Sequence, residues 1–391
     1  MAFNTLPDQQ LSVIYTGHGV ALISLGAPFN SASDVQPRLY LSEDLVHWRD
    51  ITPHAARAGD GVVGDVNLIT QASWISPTTG WIETCRNSSY TEAIFQTTDG
   101  GRRWQPISDP SEAYQLRCAD SIQLLSHDAG IETSARQEGL GGNPVEVTHD
   151  DGRTWTAPYG LFHSESTAVP DGGVAFETVN DAMAPGSAPY GLGPGIQISH
   201  DGGATWSAVL PPAPAGADIR YNHVAFGDNQ AVLPVMGVNT AGGATVQLDV
   251  SNDGGSTWTV ASQVSFHAEV LPPVSTVPTT TGPTYQEYVN LSITEDGTWW
   301  LTLPTASPTT VVSTDQGHTW TTLDEDGLPP DARATVTIGG AGLPLNAFVS
   351  PVNAMTALAT GAVPTTSGAS NLVYRTQDRG KTWTPVHLPP H

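Results

Sequence analysis

The residues of this chain that could do chemistry are a small set of arginines, glutamates and tyrosines. Arginine is scarce here, and its planar guanidinium matches a carboxylate through two parallel hydrogen bonds. A Glu-Thr pair recurs three times, and a pair of carboxylates at a defined separation is what glycoside hydrolysis requires. The candidate ligand-binding residues are Arg86, Arg117, Arg136, Arg220, Tyr221, Glu83, Glu132, Glu177, Glu287 and Tyr288. Together they predict a polar pocket with convergent charges.

The charge balance excludes nucleic acid as a partner. The chain of 391 residues has 38 acidic residues against 14 basic ones, which gives a formal net charge of -24. A surface of this sign repels phosphates and anionic membranes and favours cationic or neutral partners. No run of 18 apolar residues is present, so we expect no membrane insertion. The sequence contains no phosphate-binding loop and no metal-ligand spacing, so we expect no cofactor and no metal.

One short sequence motif occurs seven times along the chain and ends each time in tryptophan. Its consensus is Ser/Thr-x-Asp-x-Gly-x-Thr-Trp, and the first copy is degenerate because it lacks the glycine. The aspartates are Asp44, Asp99, Asp150, Asp201, Asp253, Asp315 and Asp378. The tryptophans are Trp48, Trp104, Trp155, Trp206, Trp258, Trp320 and Trp383. Their spacing of 51 to 63 residues matches one four-stranded blade per interval. It therefore predicts an all-β chain that forms a single seven-bladed β-propeller of antiparallel blades.

This motif resembles the Asp-box, or BNR repeat, of sialidases, sortilin-type receptors, xyloglucan hydrolases and photosystem II assembly factors. The resemblance covers essentially the whole chain and implies the propeller fold, but these families share little chemistry. The box residues have structural reasons of their own. The carboxylate accepts backbone N–H bonds within its turn, glycine supplies a positive φ, and tryptophan packs against neighbouring strands. We therefore interpret the box residues as structural.

The repeat also predicts the domain organisation. Residues 1–391 are expected to form one domain, a single propeller. The protein is expected to be a monomer. The blades are predicted at approximately 11–54, 62–110, 114–160, 165–212, 217–263, 284–326 and 333–388. Closure of the ring is expected to depend on packing between blades seven and one, unless residues 4–10 add a strand.

The resemblance implies which face carries function. In Asp-box families the box joins the third and fourth strands, on the face opposite the binding face. By this rule 80–85 and 130–134 are second strands, and Glu177-Thr178 is expected at the same strand position in blade four as the two earlier Glu-Thr pairs. Cys85 and Cys118 then fall on the binding face of adjacent blades. A disulfide between them is predicted, with two free thiols as the alternative.

Two functions stay open at this point. Sialidases hold the substrate carboxylate with three arginines and use a tyrosine activated by a glutamate, for which Glu287 beside Tyr288 is a candidate. Their Arg-Ile-Pro motif near the N-terminus is absent, since the first arginine is Arg38, mapped to the third strand of blade one. No catalytic residue is therefore assigned. We predict a non-catalytic module that binds a protein or glycan through the face opposite the Asp-boxes; an exo-sialidase-like or other glycoside hydrolase is the alternative.

The N-terminal sequence and the composition of the chain bear on where the protein is located. Residues 1–10 lack a charged region followed by an apolar stretch, so the sequence as written shows no secretory signal. The Lys-poor, Thr- and Pro-rich composition is nevertheless typical of exported bacterial proteins. An extracellular or cell-surface bacterial protein is expected.

Overall fold

The chain folds into antiparallel sheets that follow one another along the sequence. The structure is a computed structural model, and every regular element in the residues it describes is a β-strand. The described residues are 10–26, 37–53, 66–86, 92–107, 119–126, 129–134, 145–156, 175–186, 195–215, 218–222, 224–227, 229–238, 243–267, 289–303, 309–323, 335–338, 341–344, 349–365 and 368–389. The seven predicted blades are confirmed, each built from antiparallel strands.

The first four blades take their strands in sequence order from the centre outward. Blade one is β1 (Gln10–Gly17), β2 (Val20–Gly26), β3 (Arg38–Ser42) and β4 (Arg49–Asp50). Blade two is β5 (Val66–Trp74), β6 (Gly80–Arg86), β7 (Glu92–Thr97) and β8 (Gln105–Pro106). Blade three is β9 (Ala119–Ser126), β10 (Ala129–Ser134) and β11 (Val145–Thr148). Blade four is β12 (Ala175–Phe176), β13 (Ala182–Gly186), β14 (Gly195–Ser199) and β15 (Ser207–Val209).

The last three blades include two features that the sequence did not predict. Blade five is β16 (Asp218–Tyr221), β17 (Ala225–Gly227), β18 (Gln230–Val238), β19 (Gly243–Ser251) and β20 (Thr259–His267). Blade six is β21 (Asn290–Ile293), β22 (Trp299–Leu303), β23 (Thr309–Ser313) and β24 (Thr321–Thr322). A separate hairpin of β25 (Thr335–Ile338) and β26 (Ala341–Pro344) precedes blade seven, which is β27 (Val349–Pro351), β28 (Ala357–Thr365), β29 (Gly368–Thr376) and β30 (Thr384–Pro385). In blade five, β16 and β17 both pair with β18, so the first strand is in two pieces.

The box of blade five shows how these turns are held. The hydroxyl of Ser251 donates to Asp253 Oδ1 at 2.8 Å and accepts the N–H of Gly255 at 2.8 Å. Asp253 Oδ1 also accepts the N–H of Thr257 at 2.8 Å, and Oδ2 accepts the Thr257 hydroxyl at 2.6 Å. The same bonds recur in the boxes of blades four, six and seven. The carboxylates therefore accept backbone N–H groups within their own turns, as Asx motifs do.

The first box reaches a similar geometry without its glycine. Leu45 takes the left-handed conformation there with a φ of 59°. Asp44 Oδ1 accepts the N–H groups of Val46 at 2.8 Å and His47 at 2.7 Å. A degenerate sequence therefore still forms the turn because the carboxylate keeps its backbone partners.

The box carboxylates predict a loss of stability in acid. The hydroxyl of Thr319 and then its backbone N–H lower the pKa of Asp315 from 3.8 to about 2, and the pKa values of the other six box aspartates are also lowered. A carboxyl group whose pKa is lower in the folded chain stabilises it above the unfolded pKa, and this contribution is lost as the pH falls through the folded pKa. The thermal midpoint of Asp315→Asn, followed by circular dichroism, should therefore lie below that of the wild type near neutral pH. The two midpoints should converge at about pH 2; a constant difference would contradict the prediction.

The hydrophobic core lies between blades, because neighbouring blades cover both faces of each inner sheet. Trp74, Trp81 and Trp299 are each at most 1% exposed. One cluster joins blades one and two, and others join blades two and three, four and five, five and six, and six and seven. The box tryptophans add links of this kind, since the indole N–H of Trp104 in blade two donates to the carbonyl of Ile51 after blade one at 2.7 Å.

Blades seven and one pack against each other at the seam of the ring. The alternative, a strand added by residues 4–10, falls outside the described residues except for Gln10, which begins β1. Ala21, Ile23 and Tyr40 of blade one form one buried cluster with Leu358 and Val373 of blade seven. In the described residues, all four strands of blade one come from residues 10–50 and all four of blade seven from residues 349–385. Within the described residues no strand is shared across this seam, and the buried cluster packs across it.

Candidate functional site

The turns between first and second strands lie on the same side of the propeller as the Asp-boxes. In blade two the N–H of Gly100 in the box donates to the carbonyl of Thr78 in that turn at 2.8 Å. In blade four the N–H of Gly202 donates to the carbonyl of Asn180 at 2.8 Å. We name this side the Asp-box side; the ends of the second strands lie on the opposite side.

The predicted site on the opposite side lies mainly outside the described residues. Arg117, Cys118, Arg136, Glu287 and Tyr288 are all outside them. The predicted convergence of arginines, the Tyr–Glu pair and the Cys85–Cys118 disulfide therefore stay predictions.

The backbone positions of four other predicted residues are described. Cys85 and Arg86 end β6, where Cys85 lies opposite Leu68. Glu132 lies in β10 opposite Ile122, and Arg220 in β16 opposite Met236. The backbone of Cys85, Arg86 and Arg220 thus lies at strand ends away from the boxes.

Two of the three Glu-Thr pairs do not present a carboxylate to the predicted face. Glu83 is 0% exposed within β6, so the structure places its carboxylate inside the propeller. Glu177 lies after β12, in the turn that leads to β13, where its N–H donates to the carbonyl of Asp181 at 2.8 Å. The expectation that Glu177-Thr178 shares the strand position of the other pairs is wrong, because β12 ends at Phe176. Glu177 therefore belongs to the Asp-box side.

Tyr221 is placed between blades four and five. Its side chain is half-buried, and its hydroxyl donates to the carbonyl of Pro211 at 3.4 Å. Burial raises its pKa, and the nearby carboxyl group of Asp249 raises it further. Tyr221 packs against the hydrophobic cluster that joins these two blades.

A cavity of about 1050 Å³ opens on the Asp-box side where the first strands of the blades meet. We name it the channel-mouth cavity. Its lining comes from the turn 17–19 of blade one, Gln123 of blade three, residues 224–227 of blade five, 290–296 of blade six and 349–353 of blade seven. Because these strands are the innermost of their blades, the cavity is the entrance to the central channel.

A second cavity, of about 610 Å³, lies between blades four and five on the same side. We name it the blade 4–5 pocket. It is lined by Glu177, Thr178, Asp181, Phe226, Gly227, Asn229, Gln230, Asn252, Asp253 and Gly254. It adjoins the channel-mouth cavity, since Phe226 and Gly227 line both.

Two of the three acids in the blade 4–5 pocket are occupied by structural hydrogen bonds. Asp181 Oδ2 accepts the hydroxyl of Thr178 at 2.7 Å, and Oδ1 lies 2.7 Å from His200 Nδ1. Asp253 is held inside its box, and the Thr257 hydroxyl, first among several donors, lowers its pKa. Neither carboxylate therefore needs a ligand.

Glu177 differs from these two acids. Its Oε2 atom is buried and has no hydrogen-bond partner in the described part of the chain. Burial raises its pKa, and the negative charges of Asp181 and Asp253 raise it further. The side-chain Nε2 of Gln230, a residue that is 6% exposed, is likewise buried without a partner. The pocket thus presents an acceptor and an amide whose hydrogen bonds remain to be made.

The wall of the pocket depends on a glycine of the blade-five box. Gly254 has a φ of 66°, and a Cβ there would lie 2.7 Å from Asp181 Oδ1. Only a residue without a side chain lets the box approach the blade-four turn so closely. Sequence reasoning missed Gln230 and the pocket, because turn residues give no signal that two blades will enclose a cavity between them.

The blade 4–5 pocket combines carboxylates with the aromatic ring of Phe226. Among the described residues, no group of three or more His, Cys, Asp and Glu side chains could hold a metal. Carboxylates beside an aromatic ring can bind a cationic side chain through hydrogen bonds and ring contact. The described residues also include no helix with the length and hydropathy to cross a bilayer.

One family model and several solved structures are similar to this chain. The BNR/Asp-box repeat model matches residues 197–208. Similar solved structures include YCF48 bound to D1 peptide, with 15% identity, 82% of each chain covered and a TM-score of 0.42. They also include the β-propeller domain of the Trilobed protease from Pyrococcus furiosus, with 8% identity, 97% of this chain and 96% of that chain covered and a TM-score of 0.52.

A third similar structure is larger than this chain. The Pyrococcus horikoshii acylaminoacyl peptidase has 6% identity and a TM-score of 0.54, and the match covers 98% of this chain and 53% of that one. No curated protein sequence matches. At these identities the two likenesses with TM-scores of 0.52 and 0.54 show the fold alone. The chain thus has the β-propeller fold, and one of its seven box turns, at residues 197–208, matches the BNR/Asp-box repeat model.

Proposed function

We propose that this propeller is a non-catalytic binding module that holds a protein partner with a basic surface on its Asp-box side. The proposal rests on the two adjoining cavities of about 1050 Å³ and 610 Å³, which share Phe226 and Gly227. Concave sites of this size, lined by a few placed polar groups, are where proteins bind ligands. A channel mouth formed by turns from several blades offers such a site to a protruding segment of a partner.

The charge of this side favours a cationic partner. Glu295 lies in the lining of the channel-mouth cavity with 64% of its side chain exposed, and its carboxylate is 3.8 Å from His18 Nδ1. Asp296 lies beside it, and the whole chain carries a net charge of -24. Carboxylates in a concave surface concentrate negative potential, which speeds encounter with a cationic partner and disfavours an acidic one.

Hydrogen bonds within the chain fix the rim of the channel-mouth cavity in the unbound protein. Asp296 Oδ1 accepts the hydroxyl of Thr294 at 2.6 Å within the blade-six turn. Its Oδ2 accepts the N–H of Ala354 in blade seven at 2.8 Å, so the two turns are joined. A rim that is already ordered lowers the entropic cost of binding.

The proposal predicts charge-selective binding at the channel mouth. An oligolysine peptide should bind the chain with an affinity that falls as salt rises, and an oligoglutamate peptide should not bind. Glu295→Gln should weaken oligolysine binding about two- to fivefold, because a rim charge contributes up to about 1 kcal/mol. Calorimetry or fluorescence anisotropy measures the affinities.

Glu43→Gln is the matched control for this experiment. Glu43 is exposed in the first box and lines neither cavity, and its substitution changes the net charge equally. If both variants weaken binding to the same extent, oligolysine is held by the overall field and the channel mouth is not the binding site.

A further inference from the structure

We propose that the blade 4–5 pocket captures one arginine side chain of a peptide segment. The inference rests on the proposed function, because the pocket adjoins the channel-mouth cavity and would hold a side chain of the same partner. Its volume of about 610 Å³ falls within the usual range of small-ligand pockets, about 300–1000 Å³. Arginine is favoured by the three groups that remain available in the pocket: a carboxylate, an aromatic ring and an amide.

Glu177 supplies the carboxylate. Its buried Oε2 has no partner in the described residues, whereas Asp181 and Asp253 already accept hydrogen bonds from Thr178 and Thr257. A guanidinium is planar and presents parallel N–H groups that match a carboxylate. Burial and the neighbouring acids raise the pKa of Glu177, and a bound cation would reverse that effect by favouring its ionised form.

Phe226 and Gln230 explain why the ligand is an arginine within a peptide. Phe226 lines the pocket, and a guanidinium is weakly hydrated on its faces and stacks on aromatic rings. Gln230 is 6% exposed, and its Nε2 has no partner, so it can donate a hydrogen bond. A guanidinium has no acceptor to offer, whereas the backbone carbonyl of a peptide does. The pocket therefore fits the charged end of the side chain and a carbonyl of the same ligand.

The test uses two probes that differ in charge and little in shape. N-acetyl-arginine methylamide carries the guanidinium, and N-acetyl-citrulline methylamide replaces it with a neutral urea. Ligand-observed NMR titration of the full chain should give saturable binding of the arginine probe, with the citrulline probe at least about tenfold weaker. Absence of saturable arginine binding at millimolar concentration, or equal affinity for both probes, would overturn the proposal.

Variants in the pocket locate the binding. Glu177→Gln should weaken the arginine probe about tenfold and remove most of its advantage over citrulline, since one charge-assisted contact is lost. Gln230→Met keeps the approximate volume and removes the amide. It should weaken the arginine probe and leave binding of methylguanidinium, which has no carbonyl, unchanged. An arginine-probe affinity that is unchanged in both folded variants would also overturn the proposal.

Glu295→Gln separates this inference from the proposed function. Glu295 lines the channel-mouth cavity and not the blade 4–5 pocket, so its substitution should leave the arginine probe unaffected. If oligolysine binding responds to Glu295→Gln and the arginine probe does not bind, the pocket proposal alone fails. If the arginine probe binds through Glu177 and oligolysine shows no dependence on Glu295, the proposed function fails and the pocket stands.

Discussion

Replacing Gly101 with alanine is expected to lower the free energy of unfolding by about 2–5 kcal/mol. Gly101 belongs to the blade-two box and has a φ of 84°, a conformation that costs a residue with a side chain about 1–2 kcal/mol. A Cβ there would also lie 2.8 Å from the Cβ and Cδ1 atoms of Ile51, which is 3% exposed. Because Ile51 is β-branched and enclosed, it cannot turn away easily, and overpacking costs a further 1–3 kcal/mol or so.

Gly19→Ala is the matched control for Gly101→Ala. Gly19 has a similar φ of 76°, but a Cβ there would meet only Pro77 Cγ at 3.4 Å, an ordinary contact. Its substitution should therefore cost only the conformational part, about 1–2 kcal/mol. Urea unfolding followed by tryptophan fluorescence measures both values. Equal losses in the two variants would show that the contact with Ile51 does not matter.

Replacing Asp249 with asparagine is expected to stabilise the protein at neutral pH by about 1–3 kcal/mol. Asp249 is 0% exposed in β19; its Oδ1 accepts the amide of Gln247 at 2.9 Å, and its Oδ2 is buried without a hydrogen-bond partner in the described residues. Burial raises its pKa from 3.8 to about 6, against the opposing effect of the Gln247 hydrogen bond. Asparagine keeps the shape and removes the charge, although its amide leaves a buried donor in place of Oδ2.

The stabilisation by Asp249→Asn should depend on pH. The pKa of Asp249 is higher in the folded chain, at about 6, than in the unfolded chain, at 3.8. Asp249 therefore contributes its full stabilisation of the folded chain below pH 3.8, and this contribution is lost as the pH rises through about 6. The variant should therefore be more stable than the wild type at about pH 7 and lose that advantage at about pH 4. Urea midpoints at both pH values test this, with Glu43→Gln as a control for net charge. An advantage of the same size at both pH values would contradict the assigned cause.

The seven blades could be predicted because the box is a local structure. Every hydrogen bond that defines a box such as Ser251 to Thr257 lies within seven consecutive residues, so its sequence pattern is sufficient to recognise it. The second strands predicted at 80–85 and 130–134 are confirmed as β6 and β10, and Arg38 does begin the third strand of blade one. Even the first box, which lacks its glycine, can be recognised from its aspartate and tryptophan.

The candidate site could not be predicted because it depends on contacts between blades. The repeated Glu-Thr pair predicts the same strand position in each blade, but β12 is only two residues long and Glu177 falls in the turn after it. Asp249 alternates with Leu248 and Val250 along β19, a pattern that usually indicates one solvated face. In a propeller the neighbouring blade covers that face as well, so the same alternation leaves a carboxylate buried.

The seam between blades seven and one has a consequence for the order of folding. The other interfaces join blades that are neighbours in sequence, whereas Ile23 and Leu358 must meet from opposite ends of the chain. Closing so long a loop carries the largest entropic cost of any interface in the ring, and contacts of this separation form slowly. We therefore expect the blades to assemble as an open arc before they form a ring. The channel-mouth cavity is lined by both the turn 17–19 and residues 349–353, so the cavity is complete only when blades seven and one are in contact.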